Sequence, residues 1–318
     1  MKNNIALDAF HYGMGTQISH RVYGSNAKEA LNAAQGEAKR LEDLLSRFIP
    51  QSDVGRINAS AGKVQEKISK ETFCVAKSAL EFTRLSDGLF NAAIGPLVDL
   101  WDYKHSTKPP SKEKIVQVLS LINAEDFEIN SAQMTAGLKR KGQSIDFGGI
   151  GKGFASDRFI KIFTDYGITS AFSNIGGNVS TLGSKPDGKA WRVGIKHPRQ
   201  DGLIGAVAVN GKAVVTSGDY ERFFIDNLGR RFCHILNPLT GYPARSGLIS
   251  ATVIADSAMT ADALSTALFV AGIEKGLEII KKCDDVQVIL IDDILTIYVS
   301  KELNQKFDTI TDISVRYI

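Results

Sequence analysis

Cysteine is scarce in this sequence, and its spacing does not suit metal or redox chemistry. Only three cysteines occur in 318 residues, namely Cys74, Cys233 and Cys283, and no two of them form a CxxC pair. Zinc-binding and dithiol sites usually bring cysteines together at short intervals. We therefore interpret the three residues as ordinary thiols and expect no cysteine-built zinc or redox site.

The chain also lacks a strong excess of charge of either sign. Lysine and arginine total 38 against 35 acidic residues, which gives a formal net charge of +3. So small a charge provides little long-range attraction for a polyanion. The densest basic stretch, Lys104–Lys114, is interleaved with Ser, Thr and two prolines, and we interpret it as a solvated loop. We expect no nucleic-acid partner.

Long apolar runs are missing as well. The segment Met1–Asp8 has neither the apolar run of a signal peptide nor a cysteine for lipid attachment, and no later segment reaches membrane-spanning length. The sequence as given therefore predicts a cytoplasmic protein without a membrane span. It predicts a periplasmic or membrane-anchored protein if an export signal has been removed.

What is present is typical of a globular protein. Hydrophobic residues make up 43% of the chain and charged residues 23%, as in ordinary folded domains. A chain of this length can fold as one large domain or as two joined lobes. Since no repeat or linker divides it, we expect one functional unit over residues 1–318, in which the Lys104–Lys114 loop is able to join two lobes.

Helical periodicity dominates the first half. Asn26 and Glu29 resemble a capping box, and the apolar spacing that follows predicts a helix ending near Phe48. A second helix is predicted between Ser69 and Gly88, which suit its two ends. Two further helices are expected to begin near Gly151 and near Met259.

Hairpin patterns dominate the second half. Asn210-Gly211, between Val207–Val209 and Ala213–Val215, predicts a type I′ turn. Two more hairpins are predicted to turn at Asn227–Gly229 and at Asp292-Asp293. Hairpins imply antiparallel pairing, and helices and strands do not alternate as in βαβ units. The predicted fold class is α+β, with mixed, largely antiparallel sheets and packed helices.

The most informative segment is the glycine-rich stretch Asp146–Asp157. It has four glycines in six positions, and an apolar helical pattern follows at once. Such a loop exposes backbone amides at a helix N-terminus, where phosphate is favoured, and Lys152 adds a positive charge. The spacing matches neither a P-loop nor the Rossmann fingerprint. A helix packed closely on a sheet remains the alternative interpretation.

A second candidate lies in the apolar helix Met259–Val270. Asp262, Ser265 and Thr266 are three and four residues apart, so their oxygens share one helical face. A carboxylate beside a hydroxyl suits Mg²⁺ that keeps sites open for phosphate oxygens. The alternative is a carboxylate placed for the helix dipole and a threonine bonded back to the helix.

Three loops could add to these two segments. Thr216–Tyr220 and His234–Pro243 place small polar groups, glycine and an aromatic residue at strand ends, where ligands often bind. His234 is either a structural histidine or a group that moves a proton near neutral pH. Asn174–Asn178, which contains a glycine pair, is either a ligand contact or a tight turn.

Taken together and in order, these segments resemble the ApbE family of flavin transferases. The resemblance covers nearly the whole chain. Its motifs are Gly13–Thr16, Leu45–Phe48, Ser52, Arg56–Asn58, Asp87–Asn91, Gly95–Val98, Asp146–Asp157, Asn174–Gly177, Thr216–Tyr220, His234–Pro243 and Met259–Thr266.

The resemblance implies a T-fold-related, two-lobed architecture that binds FAD in the cleft between the lobes. It implies that, with Mg²⁺, the pyrophosphate of FAD is cleaved and FMN is joined by a phosphoester to a threonine of an acceptor protein, while AMP leaves. The acceptor would carry an Asp-Gly-(Ser/Ala)-Thr-like site. Related chemistry with water would instead make an FAD pyrophosphatase, and loss of chemistry would leave a non-catalytic FAD-binding protein.

Site residues carried over from the family fall into three groups. The side chains of Asp262 and Thr266 and the carbonyl oxygen of Gly149 would hold the metal, and His234 and Asp262 are the candidate catalytic residues. The candidate FAD-binding residues are Met14, Phe48, Leu89, Phe90, Asn91, Asp146, Lys152, Ser217, Asp219 and Ala244. Asn91 and Asn178 depart from the family, which often has aspartate there.

Overall fold

The computed structural model describes residues 6–310 and 313–318, and its centre is a large sheet flanked by helices. The strands are β1 (Ala6–Gly13), β2 (Thr16–Tyr23), β3 (Glu66–Lys67), β4 (Phe127–Asn130), β5 (Thr135–Leu138), β6 (Ser170–Ile175), β7 (Asn178–Leu182), β8 (Trp191–Lys196), β9 (Leu203–Val209), β10 (Ala213–Gly218), β11 (Phe223–Ile225), β12 (Arg231–Cys233), β13 (Leu248–Ala255), β14 (Gln287–Asp292), β15 (Ile297–Val299), β16 (Phe307–Thr309) and β17 (Val315–Tyr317). The α-helices are α1 (Ala27–Leu45), α2 (Asp53–Ala59), α3 (Lys70–Leu85), α4 (Gly95–Trp101), α5 (Lys112–Leu119), α6 (Gly151–Asp165), α7 (Ala258–Ala271) and α8 (Ile273–Ile280).

The main sheet has nine strands in the order β1-β2-β6-β7-β10-β13-β14-β15-β17. Neighbouring strands pair antiparallel, except that β15 and β17 are parallel. Helices α1, α6 and α7 pack on one face, and the sheet β16-β9-β8 covers much of the other. Every residue of β13 is therefore buried, with Val253 facing the helices and Ile254 facing the second sheet.

Helix α7 lies inside this arrangement rather than at its surface. Ala263 and Ala267 join the core formed with α1 and α6, while Leu264 and Leu268 join the core formed with β13. A helix that is apolar on all sides is expected to be buried. The polar side chains Asp262 and Ser265 on α7 are consequently buried.

Two smaller groups of elements pack beside the main sheet. Helices α2 and α3 lie against the three-stranded sheet β3-β5-β4. Helices α4 and α5 and the hairpin β11-β12 pack around Trp101, whose indole nitrogen donates to the Gly241 carbonyl at 2.8 Å. Within the described residues no helix combines the length and the apolar character needed to cross a membrane.

The α+β class and several predicted elements are confirmed. Helix α3 begins after Ser69, whose hydroxyl accepts from the Thr72 amide, and Gly88 follows its end with φ +83°. Strands β11 and β12 pair antiparallel across the turn at Asn227–Gly229, and β14 and β15 pair across Asp292-Asp293. Helices α6 and α7 begin at Gly151 and Ala258.

The predicted hairpin at Asn210-Gly211 is wrong. Strand β9 pairs with β8 and β16, whereas β10 pairs with β7 and β13 in the main sheet. Gly211 has φ +61° but Asn210 does not have a positive φ, as a type I′ turn requires at both residues. The segment connects β9 in the three-stranded sheet to β10 in the main sheet. The two sheets pack face to face, and this packing buries the apolar residues between them.

The predicted capping box of α1 is also wrong. Asn26 precedes the helix, but its side chain makes no cap and instead donates to the Tyr166 carbonyl at 3.0 Å. The helix ends at Leu45 rather than near Phe48. The Ser46 carbonyl accepts from the Ser52 hydroxyl at 2.6 Å, and this bond helps to turn the chain away from the helix axis.

Candidate metal and nucleotide site

The first turns of α6 and α7 meet at Gly153. A Cβ atom at Gly153 would lie only 2.7 Å from the Met259 Cα and would collide with the Ala258 carbonyl. Glycine is therefore required for this close approach. The glycine allows a close contact, but its partner at this position is helix α7 and not a sheet, as the alternative interpretation expected.

This contact brings Asp262 onto the N-terminus of α6. The Gly153 amide donates to Oδ2 of Asp262 at 2.9 Å, and the residue is only 3% exposed. Oδ1 of the same carboxylate lies 3.8 Å from Nζ of Lys152, which also donates to the Gly148 carbonyl at 3.2 Å. The glycine loop and the α7 carboxylate thus form one cluster.

Three hydroxyls lie together next to the main chain of Asp262. Ser217, near the end of β10, has its oxygen 2.9 Å from that of Ser265 and 3.4 Å from that of Thr266. The Ser265 and Thr266 hydroxyls also donate to the Asp262 carbonyl, at 2.9 and 3.3 Å. The back-bonding expected of a structural threonine is present, and the hydroxyls of Ser217, Ser265 and Thr266 lie close to one another.

Gly149 lies directly against Thr266. A Cβ atom at Gly149 would come within 3.2 Å of both the Thr266 hydroxyl and a ring carbon of Phe90. The backbone of the loop can reach this position because no side chain intervenes. Carboxylate, hydroxyl and carbonyl oxygens are the hard ligands that Mg²⁺ prefers, so the donor set fits that ion.

The start of the loop is held by Arg47. One guanidinium nitrogen donates to Oδ2 of Asp146 at 3.0 Å, and the other donates to Asp99 at 2.6 Å. Oδ1 of Asp146 accepts from the Gly148 amide at 2.6 Å. Asp146 therefore shapes the loop from within, while 18% of its side chain remains exposed.

Phe48 is an exposed aromatic residue at the edge of this cluster. Its ring is 77% exposed, with the Arg47 guanidinium carbon 5.8 Å and the Lys104 ammonium 5.6 Å from its centre. An open ring with cations nearby is a suitable surface for stacking a flavin or adenine ring.

His234 lies within electrostatic reach of the same cluster. Its Nδ1 is 3.1 Å from the Arg222 carbonyl, which can only accept, so Nδ1 carries the proton and Nε2 presents a lone pair. Burial and then the Arg222 charge lower the pKa of His234 to about 4, with a smaller effect from Lys152. The imidazole is therefore neutral at pH 7.

Four predicted lining residues occupy structured positions nearby. Phe90 packs under Gly149, and Leu89 and Ala244 share the core that includes β13. The Asn91 side chain accepts from the Ala93 amide at 2.9 Å and starts a short 3-10 helix. All but Asn91 are buried.

Two other predicted lining residues have partners outside the carboxylate cluster. Asp219 forms a two-pronged ion pair with Arg199, with distances of 2.7 and 2.8 Å. Met14 sits in the tight turn between β1 and β2 with φ +53° and packs on the core beneath α1 and α6. The Asn174–Asn178 segment is also a tight turn, with Gly176 and Gly177 at positive φ.

Sequence reasoning missed two residues that organise the cluster. Arg47 lay in a recognised motif, but its partner Asp146 is 99 positions away. Asp157 closes the glycine-rich motif, yet its bonds reach Ser257 and two neighbouring amides about 100 positions later. The sequence did offer one signal for Asp157, because a carboxylate one helical turn after Gly153 lies on the same face of α6 as that glycine.

Comparison with known proteins places this arrangement in a family. The model of the ApbE family matches residues 14–290. A Klebsiella pneumoniae FAD:protein FMN transferase is 35% identical over 281 residues, covering 87% of this chain and 86% of its own length. A Treponema pallidum protein of the same name is 31% identical over 298 residues, covering 87% and 82%.

The fold gives the same result. The crystal structure of the ApbE protein from Thermotoga maritima superimposes with a TM-score of 0.88 at 31% identity, covering 95% of this chain and 99% of its own. Matches in sequence and in structure thus both extend over most of the molecule. The chain belongs to the ApbE family.

Proposed function

We propose that this protein is an FAD:protein FMN transferase that uses Mg²⁺. It moves FMN from FAD to a threonine hydroxyl of an acceptor protein through a phosphoester bond and releases AMP. The observation that carries the proposal is the convergence of Asp262, Thr266, Gly149 and Lys152 at the contact between α6 and α7. The names of the relatives supply the substrate and the transferred group.

Asp262 and Thr266 would hold Mg²⁺ by their side chains, and Gly149 would do so by its carbonyl oxygen. A single protein carboxylate is enough for Mg²⁺ when substrate phosphates complete its coordination. When bound, the ion neutralises charge that develops on the pyrophosphate. Phosphate binding, ring stacking and proton transfer are assigned to the side chains around it.

Lys152 would bind the phosphates of FAD. In the free protein its ammonium group rests between the Gly148 carbonyl and the Asp262 carboxylate. A pyrophosphate oxygen offers a stronger partner than the carbonyl. Asp146 keeps the loop in shape through the Gly148 amide, and Phe48 offers its open ring to one of the two ring systems of FAD.

His234 is the candidate acceptor of the threonine proton. The threonine oxygen forms a bond to the phosphorus of the FMN half, the P–O bond to AMP breaks, and the electron pair leaves with AMP. Nε2 of His234 takes the proton. Its pKa of about 4 in the free protein makes it a weak base, and a bound pyrophosphate would raise that pKa by placing negative charge nearby.

We further infer that residues 1–318 form one functional unit. FAD would bind in a cleft between two lobes of this unit, as the family resemblance implies. The residues proposed for the site come from the β1–β2 turn, the turn after α1, the Leu89–Asn91 segment, the glycine loop, the end of β10 with Asp219, the His234–Ala244 segment and α7. The acceptor is proposed to present an Asp-Gly-(Ser/Ala)-Thr-like segment, as the family resemblance implies.

The experiment incubates the purified protein with FAD, Mg²⁺ and an acceptor domain that carries such a segment. Mass spectrometry of the acceptor and chromatography of the nucleotides then report the products. Threonine-linked FMN with an equal amount of AMP supports the transferase. Free FMN and AMP without labelled acceptor would make the protein an FAD pyrophosphatase, and bound FAD without turnover would make it a carrier.

The role of His234 has its own test. In His234→Ala the rate of transfer at saturating FAD is expected to fall by about 10²-fold, as for loss of a general base. Full retention of the rate would remove the proposed proton transfer while leaving the metal site untouched.

A further inference from the structure

Helices α6 and α7 cap each other's N-termini with carboxylates. Oδ1 of Asp157, on α6, accepts from the Ala258 amide at 2.6 Å, and Oδ2 accepts from the Met259 amide at 3.0 Å. These are amides of the first turn of α7, which have no partner within the helix. The same carboxylate accepts from the Ser257 hydroxyl at 2.7 Å.

The return bond comes from Asp262. Asp262 lies on α7, and its Oδ2 accepts from the amide of Gly153, the third residue of α6. Each carboxylate therefore occupies the positive end of the other helix, where negative charge is favoured. The close contact at Gly153 makes the exchange possible, because it brings the two helix ends together.

This reciprocal arrangement holds two carboxylates in a buried region. Burial raises the pKa of the Asp157 carboxyl, and the neighbouring charge of Asp262 raises it further, while the three bonds to Ser257, Ala258 and Met259 oppose both effects. Such a pair is tolerated because each carboxylate has donors of its own.

We propose that Asp157 is a positioning residue that sets the place of Asp262 and Thr266 for binding a divalent cation. The inference rests on the proposed function, since it concerns the same metal site. Asp157 itself is not a ligand. It fixes the first turn of α7, and Asp262 and Thr266 follow one and two turns later on that helix.

Loss of the Asp157 cap is expected to shift the first turn of α7 without unfolding the protein. Ser257 separately accepts from the Thr260 amide at 3.2 Å, so the N-terminus of α7 keeps one cap without Asp157. The apolar sides of α7 also remain packed in two cores. Freed from Asp157, the first turn can shift relative to α6, and the distance between Asp262 and the Gly149 backbone is no longer fixed.

The experiment titrates Mn²⁺ into the full-length protein and measures free Mn²⁺ by electron paramagnetic resonance. Asp157→Asn keeps one acceptor oxygen and Asp157→Ala keeps none. Groups that orient a metal ligand contribute about 10- to 100-fold to metal affinity. We expect Mn²⁺ affinity to fall by about tenfold in Asp157→Asn and further in Asp157→Ala, with the Mg²⁺ concentration for half-maximal transfer rising in parallel.

A matched control separates positioning from general stability. Ser69→Ala removes the N-cap of α3, which destabilises a helix, and it is expected to leave Mn²⁺ affinity unchanged. If Asp157→Ala fails to fold, Asp157→Asn decides the question, because it keeps one acceptor oxygen for the first turn of α7 and leaves the Ser257 cap in place.

Three results would overturn the inference or its basis. Unchanged Mn²⁺ affinity in a folded Asp157→Asn protein would remove the positioning role. An equal loss of affinity in Ser69→Ala would make the effect one of stability alone. Absence of Mn²⁺ binding by the unaltered protein would instead contradict the metal site on which the inference rests.

Discussion

Arg47 and Asp146 are joined by a hydrogen bond of 3.0 Å between a guanidinium nitrogen and Oδ2, and the arginine side chain is only 9% exposed. The other guanidinium nitrogen donates to Asp99 on α4. Arg47 thereby ties the turn after α1 to the start of the glycine loop. The loop that is proposed to receive the pyrophosphate is thus held at its start by a side chain from outside the loop.

Replacing Arg47 with alanine is expected to destabilise the protein and to loosen the glycine loop. Removal of one partner leaves Asp146 without its main cation in a mostly buried position, which costs about 3 kcal/mol. Urea denaturation measures the free energy of unfolding, and fluorescence titration measures FAD affinity, which should fall. Arg21→Ala is the control, because Arg21 pairs with Asp8 at the surface and its loss costs under about 1 kcal/mol.

Gly153→Ala is expected to separate α6 from α7. The added methyl group would collide with the Ala258 carbonyl and the Met259 Cα, and overpacking of this kind costs about 1–3 kcal/mol. Mn²⁺ affinity should fall together with the midpoint of thermal unfolding. Gly36→Ala is the control and should raise the midpoint of thermal unfolding. Gly36 lies exposed in α1 with open space around it, and alanine there stabilises the helix by up to about 1 kcal/mol.

His20 makes the folded state sensitive to acid. It is 2% exposed, and its ring packs on the edges of Phe159 and Phe163. Burial, and then the proximity of His11, lowers its pKa to about 3, whereas an unfolded histidine titrates near pH 6.5. The unfolded state therefore binds the proton first, and folding stability falls as the pH drops from 6.5 toward 3.

Between pH 7 and pH 5 this single group should remove about 2 kcal/mol from the free energy of unfolding. Denaturation curves over that range measure the slope. His20→Phe is expected to flatten it, while His105→Asn, at an exposed position, should leave it unchanged. A slope that is identical in the unaltered protein and in His20→Phe would show that His20 is not the group responsible.

The local features of the fold were accessible from sequence because their causes are local. Ser69 and Gly88 predicted the two ends of α3 by their capping and turn preferences. The turn at Asn227–Gly229 joins strands that pair with each other, so neighbouring residues carried the whole signal. The glycine loop before α6 was recognisable for the same reason.

Contacts between residues that are distant in the chain could not be predicted from the sequence. Asn210-Gly211 has the local signal of a hairpin, yet the flanking strands join different sheets, and residues of both strands pack in the core between those sheets. Likewise, the spacing of Asp262 and Thr266 on one helical face is compatible with both a structural role and a metal-binding role, so the sequence did not decide between them. Only the contact with Gly153, about 109 positions away in the chain, brings the carboxylate to the glycine loop.

The most direct test compares Asp262→Asn with the unaltered protein across a Mg²⁺ titration, with FMN on the acceptor threonine as the measured product. The amide can still accept from Gly153 but loses the negative charge, so the rate should fall by about 100-fold or more. Asp165→Asn, which alters an exposed carboxylate on α6, should retain the full rate. A Mg²⁺ dependence and rate unchanged in Asp262→Asn would contradict the proposed site.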